Sequence, residues 1–227
     1  MFNPLYYLFV FPALLLGMYA QYRVRSAYSK YSRARNARSI TGLEAAQRLL
    51  GAAGLDGVTV GQTPGRMSDH YDPRSKRLFL SAEVAQTPSL AALSIVAHEV
   101  GHAQQDQQGY APLKLRGAMV PAVRIGSWVG PLLFVVGLML NLARLPEIGL
   151  VLFSLTLVFA LVTLPVEFNA SSRAVALLRR AGLTSATEER GVQSVLSAAA
   201  LTYVAAAVQA LFTIHYYLTV LGGRRRD

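Results

Sequence analysis

Four stretches of the chain carry no charged side chain: residues 1–22, 125–143, 148–166 and 191–223. Each is long enough to cross the hydrocarbon core of a bilayer as a helix. The pattern therefore predicts a mainly α membrane protein with about four transmembrane helices. The second and third stretches are separated only by a few residues around Arg144 and Pro146, so they read as a helical hairpin. A hairpin leaves and returns, so residues 23–116 and the segment that begins at Glu167 are expected on the same side of the membrane.

The polar residues between these stretches predict the rest. Arg23, Arg25, Lys30, Arg33, Arg35 and Arg38 follow the first apolar stretch at once, which by the positive-inside rule places them in the cytoplasm. The first stretch lacks a positive leader and a small-residue cleavage site, so it reads as an uncleaved anchor with Tyr6, Tyr7, Tyr19 and Tyr22 near its ends. Thr41 with Glu44 three residues on is a capping-box pattern for a short amphipathic helix over 41–53, ended by Gly54. A short strand is expected over 58–60, a turn-rich loop over 61–68, a turn after Asp72 and Pro73, and a strand over 77–81. A strand here is suited to binding an extended peptide by edge addition. Ser89 or Thr87 caps a further helix with Pro88 in its first turn. Residues 104–109 read as its polar exit. A helix opens at Glu167 and ends at Gly182, and residues 184–190 form a polar turn with a cap for the last helix.

Composition narrows the class. The chain is 53% hydrophobic and 15% charged, beyond an ordinary soluble domain. It has no cysteine, which excludes a disulfide framework, a thiolate metal site and a cysteine nucleophile. The net charge of +10 lies beside apolar runs, so it reads as topology signal and contact with anionic lipid rather than as a nucleic-acid surface. Arg224, Arg225 and Arg226 fit this less well, because four spans put them outside. Either the first basic segment dominates or the last helix stops short of crossing.

The chemistry sits in the capped helix, at His98-Glu99-Val100-Gly101-His102. Residues four apart share a helical face, so His98 and His102 can address one ion, with Glu99 beside them as a general base. A third ligand is required, and Glu167 is the first charge after the hairpin, on the expected side. Two histidines and a carboxylate leave one open position on zinc, where a water becomes acidic enough to attack a peptide carbonyl. Gly101 reads either as a place of close approach or as a tolerated glycine. His70 has two readings: a polar active-site residue steadying an oxyanion or ligating the metal, or a loop histidine paired with Asp69 or Asp72. His215 lies among Tyr216 and Tyr217, as an interfacial histidine would.

These motifs together resemble the YugP-type neutral zinc metallopeptidases of bacterial membranes. The resemblance rests on Asp69-His70-Tyr71-Asp72-Pro73, the stretch from His98 to Gln105, Leu164-Pro165-Val166-Glu167-Phe168-Asn169-Ala170-Ser171, and Ala199-Ala200-Leu201-Thr202-Tyr203-Val204-Ala205-Ala206. It implies a gluzincin-like site with His98, His102 and Glu167 on Zn2+ and Glu99 as base. In related membrane gluzincins an aspartate one turn after the third ligand orients a histidine. Here Ser171 stands at that position, with Asn169 nearby.

The expected organisation is a transmembrane helix over 1–22, a small α+β cytoplasmic catalytic region over 23–116, a hairpin over 117–166, the third-ligand helix over 167–190, and a fourth membrane helix with a basic tail over 191–227. The expected function is zinc-dependent endopeptidase activity at the cytoplasmic face of the bacterial plasma membrane, acting on peptides or membrane proteins in quality control. The lipid bilayer is its setting, and homo-oligomers or membrane-protein partners are compatible with it, but nucleic acid is not. Two rivals are a scaffold with a structural metal site closed by His70 or Asp72, and a lipid-binding anchor in which Glu99 has no role.

Overall fold

The computed structural model describes residues 4–142 and 144–224. The order of elements is α1 (Pro4–Ser32), α2 (Gly42–Ala52), β1 (Thr59–Thr63), β2 (His70–Asp72), β3 (Arg77–Ser81), α3 (Ala82–Gln86), α4 (Leu90–Gln107), α5 (Ala111–Met139), α6 (Leu145–Arg180) and α7 (Ala186–Arg224). The fold is mainly helical with one small sheet. Among the described residues, three helices are long and apolar enough to cross a membrane: α5, α6, and α7 from Ala186 to Gly223. The start of the first apolar stretch, Ala143, and Arg225 and Arg226 of the basic tail lie outside the described residues.

The chain divides into two compact units. One comprises the chain up to Gln21, Lys114–Pro165 and the chain from Leu201. Its hairpin is joined by glycine. A Cβ on Gly130 would lie 2.8 Å from the Gly149 carbonyl oxygen, and one on Gly149 would lie 2.6 Å from the Phe134 nitrogen. The two backbones approach as small residues allow between membrane helices. His215 is exposed and stands edge-on to Phe9, with ring centroids 4.6 Å apart.

The second unit, Tyr22–Leu113 with Val166–Ala200, holds the sheet and α4. Thr41 and Glu44 form the expected capping box on α2, and Gly54 and Gly182 take positive φ just after α2 and α6. β3 is the central strand. It pairs in parallel with β1, from Thr59 opposite Arg77 to Thr63 opposite Ser81, and antiparallel with β2, where Tyr71 faces Leu78. Leu49, Leu78, Leu80, Leu93, Val96 and Val100 fill the core beneath it.

The structure departs from the sequence pattern in several places, among them two unexpected elements, β2 and α3. Gly61, Gln62 and Thr63 extend β1 rather than opening a loop, because β3 offers them a pairing edge. The first helix does not stop at Tyr22. It continues to Ser32 through Arg23, Arg25 and Lys30, since nothing there breaks a helix. No new helix opens at Glu167, because α6 runs unbroken through Pro165. A proline removes one backbone bond, which a long packed helix tolerates. The polar turn at 184–190 is mostly helix: Ser185 caps α7, its Oγ accepting from the Glu188 nitrogen.

Candidate metal centre

Ser89 caps α4 by accepting from the Ala92 nitrogen, and the apolar face of the helix sinks into the core through Leu93, Val96, Ala97 and Val100. That anchoring turns His98 and His102 toward α6. Their rings stand edge-to-face, with centroids 4.7 Å apart. Gly101 lets α6 come close: a Cβ there would lie 2.6 Å from the Ala170 carbonyl oxygen. Glu167, 2% exposed, therefore reaches both histidines from one turn earlier on α6. Its Oε2 is 3.1 Å from His98 Nε2 and 3.7 Å from His102 Nε2.

This donor set fits a zinc ion. The three residues can present ligand atoms all within 4.8 Å of one another. Zinc bonds of about 2.0–2.1 Å in a tetrahedron require donors roughly 3.4 Å apart. The two observed separations bracket that value.

Both histidines are also held from behind, as ligand imidazoles are. Ser171 Oγ lies 3.3 Å from His98 Nδ1, and Gln105 Oε1 lies 2.9 Å from His102 Nδ1. Gln105 in turn donates from Nε2 to the Val166 carbonyl at 2.8 Å and to Asn169 Oδ1 at 3.0 Å. Arg173 Nε donates to the same Asn169 oxygen at 2.6 Å. α4 does exit through exposed Gln107 and Gln108, but Gln105 within that polar stretch is fully buried and ties α4 to α6. Its place was readable: His98, His102 and Gln105 follow i, i+4, i+7, one helical face.

The electrostatics favour a cation here. Burial works against a charged His102. The hydrogen bond that His102 donates to Glu167 and the negative charges of Glu99 and Glu167 outweigh it, and its pKa is raised.

Glu99 is not among the three clustered residues. Its Oε2 accepts from the Tyr71 backbone nitrogen of β2 at 2.9 Å, which leaves Oε1 for other chemistry. His70 is exposed and apart from the cluster. Its Nδ1 lies 2.8 Å from the Ser68 carbonyl oxygen, and its ring stacks on Phe79. Neither expected loop partner holds it. Asp69 accepts from Ser81, and Asp72 accepts from Arg74 and Ser75 in the β2–β3 turn.

Comparison with known proteins agrees with the geometry. The chain is 45% identical over 221 residues to a protein of Bacillus subtilis (strain 168) named "Putative membrane protease YugP", covering 96% of this chain and 98% of that one. No solved structure matches. The family model described as "putative neutral zinc metallopeptidase" matches residues 6–222, nearly the whole chain, and the chain belongs to that family.

Proposed function

We propose that this protein is an integral membrane zinc endopeptidase, with His98, His102 and Glu167 as ligands and Glu99 as general base. The observation that carries the reading is the convergence of the two Nε2 atoms on Glu167 with Glu99 beside them, held by a backbone N–H. A zinc ion in such a site polarises a carbonyl and makes water acidic near neutral pH. The chain's own residues supply the rest. Glu99 Oε1 takes the proton of the attacking water and returns it to the leaving amine. The Tyr71 N–H fixes the other carboxylate oxygen. Ser171 and Gln105 keep both Nε2 atoms turned inward. β2 is an edge strand beside Glu99, so an extended peptide added to it lies within reach of the base.

Neither His70 nor Asp72 joins the cluster among the described residues, which favours an open fourth position over a closed structural site. The reading includes α1 as a fourth span, a site on the cytoplasmic side, and exposed segments of membrane proteins as substrates in quality control.

The test is degradation of casein by detergent-purified protein, with and without a chelator. Cleavage that stops on chelation and returns with zinc supports the peptidase. Zinc-bound protein that never cleaves supports the scaffold. Topology is testable directly because the chain has no cysteine. In sealed vesicles an Arg48→Cys variant is expected to react from the cytoplasmic side, and Leu142→Cys from the opposite side.

Gln105→Leu is expected to weaken zinc binding about 10- to 100-fold, the usual cost of losing a ligand's hydrogen-bond partner. Chelator competition measures it. An unchanged affinity would remove Gln105 from the site.

A further inference from the structure

Tyr71 is tied to α4 at both ends. Its backbone nitrogen donates to Glu99 Oε2 at 2.9 Å, and its hydroxyl donates to Asp106 Oδ2 at 2.7 Å. Glu99 and Asp106 are seven residues apart on one helix, so they lie on the same face, about 10 Å apart along the axis. The tyrosine spans that interval as a strut, and it is 9% exposed. Lys76, in the β2–β3 turn at φ +54°, pairs with the same Asp106 oxygen. Asp106 thus holds both the strand that carries the Tyr71 N–H and the turn that follows it.

The strand needs such a hold. β2 has three residues and pairs on one side only, with β3. A strand this short at a sheet edge has few ladder bonds to fix its height above α4. Burial of the phenol and its bond to Asp106 raise the Tyr71 pKa, so the hydroxyl remains a donor at any physiological pH. The Lys76 pair adds less, because the lysine side chain is about half exposed.

We infer that Asp106, through the Tyr71 hydroxyl, is a positioning residue that sets the height of β2 and so the orientation of the Glu99 carboxylate. This rests on the proposed role of Glu99 as base. The clamp touches none of His98, His102 or Glu167, so its loss is expected to spare zinc binding. A misplacement of an ångström at a reacting group costs on the order of 100-fold in rate.

The test compares Tyr71→Phe, Asp106→Leu and Asp106→Asn as zinc-loaded, full-length protein. Asn keeps an acceptor for the phenol and is the conservative variant. Tyr71→Phe and Asp106→Leu are expected to lose about 10- to 100-fold in kcat at unchanged zinc stoichiometry, and Asp106→Asn to stay within about threefold of wild type. The second readout does not depend on cleavage. Amide exchange at Tyr71 is expected to rise at least about tenfold in Tyr71→Phe and Asp106→Leu, as is also expected of Glu99→Ala, the control that removes the acceptor, and not in Asp106→Asn. Unchanged exchange at Tyr71 in both disruptive variants overturns the clamp, whether or not the protein proves to be a peptidase. Faster exchange with wild-type kcat reduces Asp106 to a stabilising contact and overturns its positioning role. A wild type that cleaves nothing while Tyr71 exchange behaves as expected counts against Glu99 as base and leaves the clamp standing.

Discussion

Glu99→Gln is expected to abolish casein cleavage while leaving bound zinc at the wild-type level. The two effects separate because Glu99 is not one of the three clustered donors. The amide is nearly isosteric and keeps an oxygen for the Tyr71 N–H, so β2 has no reason to move. It cannot accept a proton, and a positioned general base contributes about 100- to 10,000-fold. Glu167→Gln should give the reverse order of effects. It removes the charge that faces both histidines, so zinc is lost first and activity with it. Equal cleavage by wild type and Glu99→Gln would point to a contaminating protease and leave Glu99 without its role.

The parts of this molecule readable from sequence are those governed by neighbours along the chain. Thr41 with Glu44, Ser89 before an apolar run, and glycines after α2 and α6 mark helix ends through bonds that close within a few residues. His98 and His102 are likewise a local pair. Glu167 was reachable by a topological step, since a hairpin of two spans returns the chain to its starting side. What stayed hidden depends on pairing across the fold. Gly61 to Thr63 look like loop until β3 lies beside them. Tyr71 shows nothing in sequence of its bonds to Glu99 and Asp106, because 28 and 35 residues separate the partners. Ser171 was already placed one turn after Glu167 by the resemblance; what the sequence did not show was that a serine there approaches His98 Nδ1, at 3.3 Å.

Gly101 makes the dependence of the site on backbone packing testable. Intrinsic propensity favours Gly→Ala in mid-helix by about 1 kcal/mol. At Gly51 in α2, where an added Cβ meets nothing within 4 Å, that gain should appear, and Gly51→Ala is expected to raise the unfolding temperature slightly. At Gly101 the sign should invert. The new Cβ would lie 2.6 Å from the Ala170 carbonyl oxygen and 3.3 Å from its Cα, and neither is a side chain that can swing away. Relief requires α6 to move back, at an overpacking cost of about 1–3 kcal/mol. Glu167 sits three residues before Ala170 on that helix, so the retreat draws its carboxylate from His98, now 3.1 Å away. Gly101→Ala is therefore expected to be less stable than wild type and to bind zinc at least about tenfold more weakly, and Gly101→Val more so. Thermal unfolding without metal reads the first effect and chelator competition the second. If Gly101→Ala were as stable as wild type with undiminished zinc affinity, the close contact of α4 and α6 would not be what brings Glu167 to the histidines.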